Sequence, residues 1–199
     1  MPGRAGGVSA PVDWLIVGLG NPGSEYEGTP HNVGFEVARL LNERWGLGRP
    51  KSRWRGLVTE GRLGPGRPRA AILMPQTYMN DAGRSVGPAR GELRVALDRL
   101  IVLHDEIDLP FGEIRVRLGG GLAGHNGLKS LRAALGSPDF HRVRIGVGRP
   151  PTTDPDQVAA YVLGRFREPR PDVMALVGRA ADATEQLITE VDSREQGGA

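Results

Sequence analysis

The sequence has 199 residues, 39% of them apolar and 25% charged, the proportions of a soluble, globular domain with its own core. It contains no cysteine, which excludes disulfides, thiolate nucleophiles and Cys-based zinc sites, and its four histidines form no H-E-x-x-H pair. The formal net charge is only +3, yet 24 of the 26 basic side chains are arginine, whose guanidinium fork matches phosphate oxygens.

The chain opens with MPGRAGGVSAPV, which lacks the apolar core of a signal peptide, and no apolar run is long enough to span a membrane. A cytoplasmic location is expected. Residues 1–12 and 193–199 are expected to be loose tails around a single domain at 13–192. The apolar run from Trp14 to Leu19 predicts a buried strand stopped by glycine. Residues 20–31 form a Gly- and Pro-rich loop. Val33, Val37, Leu40 and Leu41 recur at helical spacing, so 32–45 is predicted helical, with Asn32 as N-cap and Gly46 and Gly48 at its end. Strands are predicted at 54–60 and 69–74, a helix at 80–91, and a buried strand at 100–104. Ile114, Val116 and Leu118 alternate with Arg115 and Arg117, the pattern of a half-exposed strand. After the loop GGGLAGHNG comes a short helix with Leu128, Leu131 and Leu135. Another strand follows, with Val143, Ile145 and Val147 alternating with Arg142 and Arg144. A short helix at 156–163 could pack as a lid, and a last helix carries an apolar face from Val173 to Val191. Strands alternating with helices predict the α/β class: a single domain whose twisted, mixed and mostly parallel sheet is flanked by helices.

The string GLGNPG at 18–23 matches the dinucleotide fingerprint G-x-G-x-x-G, but its context is wrong. The helical pattern begins only after His31, Pro22 removes a backbone donor, and no second strand ends in a ribose-binding acid. The turn instead presents the Asn21 side chain at a strand end, where α/β sheets place ligands.

Polar residues cluster at other strand ends and helix starts: Thr29–Asn32, Tyr78–Asn80, His104–Asp108 and His125–Asn126. His31 is the natural general base, since imidazole accepts a proton near neutral pH. Asp105 could hold one ring nitrogen as a donor and leave the other free. No serine or cysteine stands in a comparable motif, so the base would act on water. Asn21, Asn80 and Asn126 are either turn and cap residues or oxyanion donors. His104 should point away from Asp105 and pack structurally, His141 should lie at the surface, and His125 stays open between the two roles. Arg115 and Arg117 share a strand face, as do Arg142 and Arg144, with Lys129 and Arg132 on the helix between. These cations beside the crevice suggest a polyanionic substrate.

Four motifs in order, LIVGLGNPGSEYEGTPHNVGF, MPQTYMNDAG, HDEIDLPFGEIRVRLGGGLAGHNGLKSL and DFHRVRIGVGRP, make the chain resemble the bacterial peptidyl-tRNA hydrolases from about residue 14 to 190. The resemblance implies hydrolysis of the ester joining a peptide to the 3′-terminal ribose of tRNA. It implies that His31 is the base, Asp105 its orienting carboxylate, and Asn80 an amide that positions His31, the water or the carbonyl. Asn21 and Asn126 would hold the peptide and terminal nucleotide, with Tyr26, Tyr78 and Met79 in the substrate pocket. Arg117 and Arg144 would grip the tRNA 5′-phosphate, assisted by Arg115 and Lys129. No metal, cofactor, membrane or obligate protein partner is implied, and the members are usually monomeric. Two departures stand out. Pro30 replaces the family's usual arginine before the histidine, which puts the loop geometry in question, and Ala123 replaces a common glycine. The chain also ends without the basic tail of many relatives. Two other readings are a non-catalytic RNA-binding protein on the same fold, which the intact polar set argues against, and a nucleotide-dependent oxidoreductase, which the failed fingerprint argues against.

Overall fold

The computed structural model describes residues 11–198. The elements run β1 (Trp14–Gly18), α1 (Val33–Trp45), β2 (Lys51–Arg53), β3 (Gly56–Arg62), β4 (Arg69–Pro75), α2 (Gly83–Leu93), β5 (Leu100–Glu106), β6 (Ile114–Leu118), α3 (Asn126–Leu135), β7 (His141–Gly146), α4 (Pro155–Leu163) and α5 (Arg170–Gly197). One seven-stranded sheet takes the order β2-β3-β4-β1-β5-β7-β6. Its centre, β4-β1-β5-β7, is parallel, and β2, β3 and β6 are antiparallel additions at the edges. The expected mixed, mostly parallel sheet is present.

β1 is buried on both faces, as its unbroken apolar run requires. Trp14 and Ile16 join the core beneath α1 and α5, and Leu15 and Val17 join the core beneath α2 and α3. Burying each such side chain contributes about 1.5–3 kcal/mol. α1 buries Val33, Val37, Ala38 and Leu41, the i, i+4 stripe of its sequence, and stops at Gly46 in the left-handed conformation.

The structure departs from expectation in several places. The strand expected at 54–60 is β3, which starts at Gly56 and forms the second arm of an unexpected hairpin, because Trp54 and Arg55 both take positive φ, 51° and 53°, and turn the chain between β2 and β3. Residues that resist this conformation hide the turn from a reading based on glycine. The turn is fastened by the Trp54 indole N–H and the Arg53 guanidinium, both on the Glu92 carboxylate. Asn32 does not cap α1; its side chain is spent elsewhere, as described below. The expected tail at 193–199 is helical through Gly197, since Arg99 pairs with Asp192 and Glu195 and ties the end of α5 to the sheet. Of the expected tail at 1–12, residues 1–10 lie outside the described residues, and Val12 is buried in the core. No helix among the described residues is long and apolar enough to cross a membrane.

β1 lies between β4 and β5, so the chain turns away from the sheet's centre in both directions at its carboxyl end, which opens a crevice there. α1 approaches that end unusually closely. A Cβ on Gly18 would meet the Gly34 carbonyl oxygen at 2.5 Å, and a Cβ on Gly34 would meet that of Leu19 at 2.6 Å. The approach brings the turn before α1 to the end of β5. Gly34→Ala therefore overpacks this junction. Although alanine is the better helix former, the variant should lose about 1–3 kcal/mol of stability, read as a lower denaturant midpoint at unchanged slope.

Candidate active site

Three carboxyl strand ends and two helix starts meet in a cavity of about 690 Å³. Asn21, Tyr26, His31, Tyr78, Met79, Asn80, Asp105 and Asn126 all line it, as do Glu106 and His125. α4 forms one wall through Val158, Ala159, Val162 and Leu163. It is capped by Asp154, whose carboxylate accepts from the Asp156 N–H at 2.9 Å.

Asn21 sets the floor. Its Oδ1 accepts the Met79 N–H at 2.7 Å, and its backbone N–H and C=O pair with the Asn32 amide, both at 2.9 Å. One buried amide thus ties the end of β1 to the turn Pro30–Asn32, and another ties it to the turn Met79–Asp81. The GLGNPG segment serves this junction rather than a pyrophosphate. Pro30 fits without loss: it starts the Pro30–Asn32 turn, where a backbone donor is not needed, and Thr29 before it is extended, as a residue preceding proline prefers.

The Asp105 carboxylate is buried at the end of β5. His31 Nδ1–H donates to its Oδ2 at 2.9 Å, and His125 Nε2–H donates to its Oδ1 at 2.8 Å. The backbone N–H groups of Gly127 and Leu128 donate to His125 Nδ1 at 3.1 and 3.3 Å. That lone pair is therefore occupied, and the proton of His125 must sit on Nε2. His31 must likewise donate through Nδ1, which leaves Nε2 as its lone-pair nitrogen beside the cavity. Burial opposes charge on Asp105, but the two imidazoles outweigh it and hold its pKa below the usual carboxylate range. Burial lowers the His31 pKa, but the charge and hydrogen bond of Asp105 prevail and raise it above its ordinary value.

His31, Asp105 and His125 offer three possible metal ligands within 4.8 Å of one another. They do not fit a metal, because ligation through His125 Nε2 would leave an imidazolate whose Nδ1 still accepts two backbone donors.

The other histidines divide. His104 is buried as expected, with its Nδ1–H on the Asp105 carbonyl oxygen at 2.7 Å, and burial foremost pushes its pKa down to about 3. His141 is not at the surface. It is buried beside Trp14, with ring centroids 6.1 Å apart, and burial lowers its pKa. The aromatic and charged residues flanking it in sequence carry no signal of this burial.

Asn80 is exposed at the rim, and its side chain has no hydrogen-bond partner among the described residues, so it does not hold His31 here. Asn126 is exposed at the start of α3. The residue that sequence reasoning left open is His125. The signal was its place directly before a helix, where a side-chain acceptor caps the first backbone donors.

The arginines form a grid rather than a simple track. Across β6 and β7, Arg115 faces Arg144 and Arg117 faces Arg142. Arg142 does not belong to a solvated phosphate face. Only 2% exposed, it donates to the carbonyls of Gly121, Gly120 and Pro138 at 2.5, 3.0 and 3.1 Å. Burial, then Arg117 and Arg144, lower its pKa. It pins the loop in which Ala123 stands at φ 49°, a left-handed position that costs a non-glycine residue about 1–2 kcal/mol. Arg115 pairs with Glu113 and Arg144 with Glu106, both at 3.1 Å. Arg117 is exposed and has no carboxylate partner among the described residues, and Lys129 is exposed on α3.

These features define the protein's class: an α/β fold with helices on both faces of the sheet and a polar site at the carboxyl ends of its central parallel strands. Residues 15–197 match the family described as peptidyl-tRNA hydrolase. The peptidyl-tRNA hydrolase of Mycobacterium sp. strain KMS is 52% identical over 179 residues, spanning 88% of this chain and 91% of its own. That of Streptomyces avermitilis is 48% identical over 194 residues, 94% of each chain. The crystal structure of peptidyl-tRNA hydrolase from Acinetobacter baumannii superposes with a TM-score of 0.81 at 34% identity, covering 93% of this chain and 91% of that one. The chain belongs to the peptidyl-tRNA hydrolase family and is an enzyme of it.

Asp105→Asn supplies one acceptor and one donor where two N–H groups need acceptors. It should lower kcat by about 10²–10⁴-fold. Loss of the negative charge should also lower the His31 pKa, a shift that NMR titration of the His31 ring reads directly.

Proposed function

We propose that the enzyme hydrolyses the ester between a peptide and the 3′-terminal ribose of peptidyl-tRNA, with His31 as the base that activates water. The observation that carries this reading is the fixed chain His125–Asp105–His31, which leaves one lone pair of His31 at a cavity large enough for an aminoacylated nucleotide end. The relatives' names supply the substrate class.

Water hydrogen-bonded to His31 Nε2 loses a proton to it as the oxygen attacks the ester carbonyl. The imidazolium that forms is stabilised by Asp105, which stays ionised throughout. Collapse of the tetrahedral intermediate expels the ribose oxygen, and the proton on His31 returns to it. Asn80, unpaired at the rim, and the Asn21 amide N–H₂ are the donors available to the oxyanion, each such donor being worth roughly 3 kcal/mol. Asn126, Tyr26, Tyr78 and Met79 enclose the acyl group and terminal nucleotide. Arg117 and Arg144 engage the tRNA 5′-phosphate, with Arg115 and Lys129 beside them. All these residues come from one chain, so a monomer suffices, and no cofactor enters the step.

A hydrolysis assay on N-blocked aminoacyl-tRNA separates this reading from RNA binding alone. His31→Ala should lower kcat by about 10²–10⁴-fold and leave tRNA affinity nearly intact; turnover within a few-fold of the parent would exclude His31 as the base. Arg117→Ala should weaken tRNA binding and reduce the slope of log K against log salt by about 0.7–0.9, the share of one phosphate contact.

A further inference from the structure

Glu106 follows Asp105 on β5, and its side chain serves neither His31 nor His125. It is 4% exposed, and both carboxylate oxygens are engaged. Oε1 accepts the Asp108 N–H at 3.1 Å, which closes the turn after β5, and Oε2 accepts the Arg144 Nε–H at 3.1 Å. Arg144 is thus held by the nitrogen nearest its stem. Neither of its two Nη groups has a hydrogen-bond partner among the described residues, and its side chain is 21% exposed.

From this geometry we propose that Glu106 is a positioning residue. It fixes the Arg144 guanidinium so that both Nη groups point outward as a preformed fork for a terminal phosphate. This inference rests on the proposed role of Arg144 as a phosphate ligand.

The chemistry favours orientation over attraction. A carboxylate next to a phosphate-binding cation reduces the net pull on any polyanion, so it does not add diffuse affinity. An unrestrained arginine, however, must be ordered each time it binds, and a bidentate guanidinium–phosphate contact is sensitive to angle. Glu106 supplies that order in advance from a buried, doubly anchored position. It also offsets self-repulsion in the grid, where Arg144 stands opposite Arg115 and beside the buried Arg142. Arg117, whose guanidinium lies across Gly120, completes the exposed cationic edge without such a brace.

The test compares the same N-blocked aminoacyl-tRNA with its 5′-phosphate present and enzymatically removed, and reads the ratio of the two kcat/KM values. General losses of folding or of catalytic geometry cancel in that ratio. Glu106→Ala should lower it by roughly two- to tenfold, the size of the ordering cost of one long side chain, with the change in KM. Glu106→Gln offers one oxygen to the two donors that Glu106 holds, the Asp108 N–H and the Arg144 Nε–H, so its ratio should fall between those of Glu106→Ala and the parent. A ratio that falls in Arg144→Ala but not in Glu106→Ala overturns the inference alone. A ratio that Arg144→Ala does not move overturns the inference together with the phosphate reading beneath it.

Discussion

The site depends on one buried carboxylate that accepts two imidazole N–H groups. Asp105 has no room for its own proton, because each oxygen already faces a donor. Its ionisation fixes the His31 tautomer, and His125 is fixed from the other side by the first backbone donors of α3. The start of a helix is thereby linked through an imidazole and a carboxylate to the nitrogen that faces the cavity. A buried charge is expensive unless fully hydrogen-bonded, and this one is stabilised by groups from the turn before α1 and the loop before α3. Both segments must therefore be placed with the accuracy of a hydrogen bond.

That placement comes from packing far from the polar groups. α1 reaches the ends of β1 and β5 only because glycines 18 and 34 carry no side chains, Gly18 lying against the Gly34 carbonyl and Gly34 against the backbone of Leu19 and Leu103. The paired amides of Asn21 and Asn32 then lock the His31 turn to the strand end, and Met79 joins the same asparagine. α4 leans on this turn and closes the cavity with apolar side chains. The wall that would enclose an acyl group and the turn that carries the base are thus in contact.

The second flank of the site is electrostatic. Four guanidinium groups sit on adjacent antiparallel strands, an arrangement that repels itself. The fold uses them unequally. Arg142 is buried and holds the glycine-rich loop that leads to His125, Arg144 is braced by Glu106, and Arg115 shares an exposed carboxylate. Counting cations along a strand overstates the surface available to a polyanion, because one of the four serves the backbone.

The sequence by itself determined six of the seven strands, since runs such as Trp14–Leu19 and Leu100–Leu103 are short, apolar throughout and bounded by turn residues or polar side chains, and it determined which chemistry-bearing residues stand at strand ends. His31, Asp105 and Asn21 were legible because strand ends converge in any open α/β sheet. Only the tertiary structure decided the partners: that His125 shares Asp105, that Asn80 makes no hydrogen bond to His31, that His141 and Arg142 are buried, and that Trp54–Arg55 turn a hairpin. Periodicity along a chain reports which face a side chain takes, a local property. A hydrogen bond between residues 20 or 74 positions apart is set by how closely helices and strands pack, and that distance is written in no single stretch of sequence.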